Sequence, residues 1–83
     1  MTIQPDPSEA IVVMAHHDPA FEGSYHMRLT ACGRLLAIGR DPLKASALRL
    51  VENGISSDTA LVVRFEDGRA ALSAATLKKA LNA

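Results

Sequence analysis

One stretch of the chain, residues 25–54, decides the fold, and it reads YHMRLTACGRLLAIGRDPLKASALRLVENG. Two runs of alternating character flank Cys32-Gly33, and glycine can supply the positive φ of a two-residue hairpin turn. Because directly opposite residues of a hairpin share a face, this turn fixes which side chains meet. The predicted pairs on the apolar face are Met27–Ile38, Leu29–Leu36 and Tyr25–Arg40.

A helix is predicted immediately after this hairpin. Asp41 can accept hydrogen bonds as the N-cap, and Pro42 suits the first helical position because its missing N–H would be unpaired there. Gly54 ends the helix by adopting the left-handed conformation after Asn53. The residues at helical spacing that face the core are Leu43, Ala47, Leu50 and Val51.

A second hairpin follows the helix, centred on Asp67-Gly68, which is among the strongest sequence signals for a tight turn. Its predicted core-face pairs are Phe65–Ala70 and Val63–Leu72, with Glu66 and Arg69 together on the other face. The return strand covers about Arg69 to Ser73. Ser73 then caps a final helix, in which Leu77, Ala80 and Leu81 face inward.

The continuous apolar run Ala10–Ala15 predicts a central strand, and residues 16–23, which contain Pro19 and Gly23, predict a loop. The chain is therefore expected to be α+β, with a single antiparallel sheet of about five strands in the order β-β-β-α-β-β-α. Two helices cover one face of that sheet. Residues 1–9 are predicted to be a flexible N-terminal leader, and residues 10–83 a single α+β domain.

Composition bears on location and on assembly. Cys32 is the single cysteine of the 83 residues, so no intramolecular disulfide can form, and a reducing cytoplasmic location is expected. The polar, acidic start differs from a signal peptide, and the longest apolar run is too short to span a membrane. Because much of the apolar content is alanine, the core is small, which favours a homodimer.

The face opposite the helices carries the predicted working surface. Apolar and basic residues alternate there, which is more typical of an interface than of a solvated sheet. The predicted interaction surface consists of Arg28, Leu35, Ala37, Val62 and Arg64. We expect a protein-interaction or accessory domain without enzymatic activity that self-associates through its sheet or binds a protein or peptide.

Nucleic-acid binding is the first alternative. Arg28, Arg64 and Arg69 could donate bidentate hydrogen bonds to a phosphate backbone. Nine basic residues are balanced by nine acidic ones, however, and the pI is near 6.8. Most nucleic-acid-binding domains have an excess of basic residues and a higher pI. Aromatic residues that could stack on bases are also absent from this face, since Tyr25 and Phe65 belong to the predicted core side.

A metal-binding or thiol enzyme is the second alternative. His16 and His17 are the candidate metal ligands, with Asp18 and His26 nearby, but adjacent histidines point apart and match no closed-site spacing. Cys32 could act as a nucleophile, although Arg34 is its only basic neighbour in the turn. Phosphate-binding loops, paired catalytic carboxylates and CxxC are missing from the sequence, so neither a cofactor nor catalysis is expected.

Overall fold

The computed structural model describes residues 10–82, so the predicted leader, residues 1–9, lies outside the described residues. The elements confirm the predicted α+β class and the predicted order along the chain. They are β1 (Ile11–His17), β2 (Tyr25–Leu29), β3 (Leu35–Gly39), α1 (Pro42–Glu52), β4 (Leu61–Phe65), β5 (Leu72–Ala74) and α2 (Leu77–Leu81).

The five strands form one sheet in the order β3-β2-β1-β4-β5, which confirms β1 as the central strand. The sheet is mixed, and in this detail the antiparallel prediction is corrected. β1 and β4 run parallel, with Ile11 opposite Leu61 and Ala15 opposite Phe65. The reason is the α1 crossover, which returns the chain to the free edge of β1 in the direction of β1 itself. β1 also continues to His17, into the stretch predicted to be a loop.

The first hairpin has a different register from the predicted one. Met27 lies opposite Ala37, and the register shifts between Met27 and Arg28, so that Leu36 is an extra residue in β3. A β-bulge of this kind breaks the alternation of faces. Leu36 and Ala37 therefore both pack toward the core, while Ile38 is 54% exposed. The turn is correspondingly longer than two residues, with Gly33 at φ 73°.

The second hairpin has the predicted register over a shorter length. Val63 lies opposite Leu72, as predicted, and the pairing continues to Leu61 opposite Ala74. The pair Phe65–Ala70 does not form, because β5 begins only at Leu72. A loop over residues 66–71 therefore replaces the tight two-residue turn.

The two helices begin and end at strong local signals. The Asp41 side chain accepts a hydrogen bond from the Lys44 amide at 3.1 Å, and Pro42 occupies the first turn. Gly54, with φ 85°, follows the end of α1 as predicted. α2 is capped by Thr76, not by Ser73, because Ser73 is held within β5.

The core lies between the helices and one face of the sheet. Alternate residues of β1 and β4 meet the buried side of α1 and the inward residues of α2. The fully enclosed side chains of this layer include Val13, Met27, Leu61, Val63 and Leu77. Both described helices pack on this side, so within residues 10–82 the opposite face of the sheet carries no helix. Within residues 10–82 no helix has the length and apolar character needed to cross a bilayer.

Candidate interaction surface

The sheet face opposite the helices, here called the outer face, is defined by the strand pairing. Met14 of β1 lies opposite both Arg28 of β2 and Arg64 of β4, and opposite residues share a face. Extending this pairing across the five strands gives the outer-face residues as Val12, Met14, His16, His26, Arg28, Leu35, Ile38, Val62, Arg64 and Ser73.

A row in which apolar residues alternate with arginines crosses the middle of the outer face, in the order Leu35, Arg28, Met14, Arg64. Neighbouring strands lie about 4.8 Å apart, so the two arginine backbones are separated by roughly 10 Å. Arg28 Nη1 donates to the Gly33 carbonyl oxygen at 3.0 Å, which ties this side chain to the hairpin loop. Arg64 takes part in none of the ion pairs within residues 10–82.

An apolar strip adjoins this row. Val12 of β1 and Val62 of β4 lie opposite each other, and both are half-buried although neither helix of residues 10–82 covers them. Together with the half-buried Met14 they form a nonpolar floor between the two arginines. At the edge of the face, Leu35 is 48% exposed. The outer face thus offers cationic groups on either side of an apolar centre.

Four of the five residues predicted for the interaction surface come together here, namely Arg28, Leu35, Val62 and Arg64. Ala37 does not join them, because the bulge turns it toward Met27 and the core. Ile38 takes its place on the outer face. The sequence prediction also missed Val12 and Met14, since a continuous apolar run gives no indication of which residues point outward.

Arg69 belongs to a separate group at the end of the sheet. It bonds Asp67, with an Nη2–Oδ2 distance of 2.8 Å, and Nη1 donates to the Tyr25 hydroxyl at 3.0 Å. Its guanidinium also lies over the Phe65 ring, 4.9 Å from the centroid. These bonds hold the pKa of the Asp67 carboxyl far below its usual range and raise the pKa of Arg69. Arg69 is therefore engaged on the core side and does not extend the Arg28–Arg64 row.

The histidines are held apart in three separate carboxylate pairs. His16 and His17, as adjacent strand residues, point to opposite faces; His16 Nδ1 donates to Glu66 at 2.7 Å, whereas His17 Nε2 contacts Asp67 at 3.1 Å. His26 contacts Asp18 instead, at 3.1 Å. No group of three or more metal-type side chains within residues 10–82 is arranged to hold an ion.

These pairs affect the acidity of the carboxylates. The hydrogen bond from His16 lowers the pKa of Glu66, and the His17 amide adds to this by donating to the same carboxylate. The Ala20 amide is the main group that lowers the pKa of Asp18. The arrangement is thus a set of charge-assisted hydrogen bonds that fasten the loops at the end of β1 and β4.

Cys32 lies exposed in the loop between β2 and β3. It borders an open cleft of about 360 Å³, together with Arg34 and Arg49. None of the histidines lines this cleft, so within residues 10–82 no imidazole is placed beside the thiol there.

Comparison of the chain with models of protein families, with curated proteins and with solved structures gives no match in any of the three. The outer face, an apolar strip flanked by Arg28 and Arg64, is the feature of residues 10–82 that best fits a partner.

Proposed function

We propose that this chain is a protein-interaction domain that acts in the cytoplasm and binds a protein segment on its outer face. The observation that carries the proposal is the row of Arg28, Met14 and Arg64, in which a half-buried apolar side chain lies between two arginines. A sheet face that contacts only solvent usually carries polar side chains, so an apolar centre on this face indicates a binding surface. Arginine and methionine are also enriched where proteins meet.

The chemistry of the face specifies its partner. An apolar residue would cover Val12, Met14 and Val62, while carboxylates on either side would bond the two guanidinium groups. In an extended segment residues i, i+2 and i+4 share one side, so the pattern Glu-x-Leu-x-Glu presents an apolar side chain between two carboxylates to the same face. We therefore expect the partner to be an acidic segment with regularly spaced apolar residues.

Nucleic acid is the second candidate, because Arg28 and Arg64 could also contact two phosphates. It is the weaker one, since Arg69 is bound to Asp67 and Tyr25 and does not contribute to the outer face. Base stacking is also unsupported, because Tyr25 and Phe65 pack edge to face with each other beside the core.

The test uses the full chain and three probes: a peptide that repeats Glu-Ser-Leu-Ser, the same peptide with lysine for glutamate, and a double-stranded DNA fragment. Binding is measured by fluorescence anisotropy at low ionic strength. We expect the acidic peptide to bind, and Arg64→Glu to weaken its affinity by roughly tenfold or more, because the substitution reverses one contact charge. Lys78→Glu is the matched control, since Lys78 is an exposed base on α2.

Several outcomes would contradict the proposal. If the acidic peptide fails to bind, or if Lys78→Glu weakens binding as much as Arg64→Glu, the outer face is not the binding surface. If instead only DNA binds, and Arg28→Glu or Arg64→Glu abolishes that binding, nucleic-acid recognition replaces protein recognition. Under the proposal, adding the acidic peptide changes the amide chemical shifts of β1, β2 and β4 and leaves those of α1 and α2 unchanged.

A further inference from the structure

The exposed side of α1 carries an ordered stripe of three residues. Lys44, Leu48 and Glu52 are spaced four residues apart, so they lie one above another along the helix. All three are exposed, and Leu48 is 51% exposed although it is a large apolar side chain. The stripe therefore has a positive end, an apolar centre and a negative end.

This stripe, called here the α1 stripe, lies beside the edge of the sheet. β3 is the terminal strand of the described sheet on that side, and its residues Leu35–Gly39 include neither a charge nor a proline. Proteins usually protect a free edge with such residues. Between β3 and α1 runs a shallow cleft of about 190 Å³, which is lined by Ala37, Ile38, Ala45, Leu48, Arg49 and Glu52.

We propose that a second copy of this chain packs against the α1 stripe, so that two α1 helices meet in antiparallel orientation about a twofold axis near Leu48. Across this axis the two Leu48 side chains contact each other. Lys44 of one copy then faces the partner's Glu52, and the reverse pair forms at the other end. The inference concerns α1 and the adjoining edge of β3, where Ile38 is the one residue shared with the outer face, and does not depend on the proposed function.

Charge complementarity is what identifies a second copy as the occupant. Lys44 and Glu52 are eight residues apart, about 12 Å along the helix, and Leu48 lies midway. An antiparallel copy of the same helix matches this spacing with both opposite charges and an apolar centre, so the α1 stripe is complementary to itself. Such an isologous contact uses one patch twice, as in most homodimers.

The outer face is less suited to self-association. Two copies packed face to face would bring four arginines together, two copies of Arg28 and two of Arg64, and like charges in an interface are unfavourable. The edge of β3 contributes to the proposed dimer contact through its side chains more than through backbone pairing. The bulge at Leu36 interrupts the row of backbone hydrogen-bonding groups along this edge. Ile38 and Leu48 therefore supply the apolar contact.

Sedimentation equilibrium of the full chain tests the inference through a charge swap. Lys44→Glu places glutamates of the two copies opposite each other and is expected to raise the dimer Kd roughly tenfold. Lys44→Glu combined with Glu52→Lys restores both pairs and is expected to return the Kd to within about threefold of the original. Both substitutions suit the helix dipole, since acid moves to the N-terminal end and base to the C-terminal end, so α1 stays folded.

A second pair of variants tests the apolar centre. Leu48→Asp is expected to weaken the dimer by roughly a hundredfold or more, because the interface would bury two carboxylates. Phe21→Asp is its control, since Phe21 is 69% exposed in the loop after β1. Circular dichroism at working temperature verifies that each variant is folded.

The inference is overturned if the wild-type chain stays monomeric at millimolar concentration, if Leu48→Asp dimerises as the wild type does, or if the charge swap fails to restore the Kd. Its failure is separable from that of the proposed function. Arg64→Glu should leave dimerisation unchanged, and Leu48→Asp should leave binding of the acidic peptide unchanged.

Discussion

Replacement of Ser46 by alanine is predicted to make the protein more stable. Ser46 lies in α1 with 0% of its surface exposed, and its Oγ has no hydrogen-bond partner among residues 10–82. A buried polar group without a partner costs about 1–3 kcal/mol. Alanine removes this cost and gains about 0.5 kcal/mol of helix propensity, while the small space left by the hydroxyl takes back about 1 kcal/mol.

The net gain is therefore about 0.5–2.5 kcal/mol in the free energy of unfolding, and for a domain of this size each kcal/mol raises Tm by roughly 4–8 °C. Urea unfolding at fixed pH measures the free energy, and thermal melts measure Tm. The adjacent Ala47 provides the reciprocal control, since it is also 0% exposed. Ala47→Ser introduces an unpaired hydroxyl and should cost about 1–3 kcal/mol. If Ser46→Ala leaves stability unchanged or lowers it, the Ser46 hydroxyl has a partner in solution, and the reasoning fails.

Two further predictions concern acid stability and the contact between β3 and α1. The native pKa values of Asp18, Glu66 and Asp67 lie below their ordinary values of 3.8, 4.5 and 3.8, so their contribution to stability is complete above about pH 5 and is lost as pH falls through the native values. Urea unfolding between about pH 6 and 3 should show this decline, and Glu66→Gln should flatten it; an unchanged slope would contradict the role given to Glu66. A Cβ on Gly39 would lie 3.3 Å from the Ala45 Cβ, so Gly39→Val should cost about 1–3 kcal/mol and Gly39→Ala less, and equal stability of all three proteins would show that α1 can move away freely.

The helix α1 was fully predictable because its signals are local. Asp41-Pro42 and Asn53-Gly54 act on the backbone within a few residues, and no distant contact is needed to position them. The register of the second hairpin was predictable for a similar reason. Its length was not, because the place where β5 starts depends on how far the sheet edge follows β4.

The first hairpin shows where local reasoning ends. Alternation in β2 and β3 indicates a hairpin, but a bulge changes the register without altering composition. Burial of Leu36 under the α1 layer favours the extra residue, and that contact is tertiary. The parallel pairing of β1 with β4 has the same origin, since two apolar strands carry no indication of their relative direction.

The candidate surface was predictable in outline. Alternation of polar and apolar residues in β2, β3 and β4 distinguishes the two faces of each strand. It therefore predicts the outer-face position of Arg28, Leu35, Val62 and Arg64. β1 gave no such contrast, so Met14, the centre of the row, became visible only once the strand pairing was known. The exchange of Ala37 for Ile38 is a direct result of the bulge.

The parallel pairing of β1 and β4 has a consequence for synthesis of the chain on the ribosome. Ile11 meets Leu61, so β1 lacks one of its two neighbours until β4 has been made. At typical elongation rates, the residues between the end of α1 and the end of β4 take on the order of a second. During that interval the nascent chain exposes a free edge of an apolar strand, and such an edge favours misassembly.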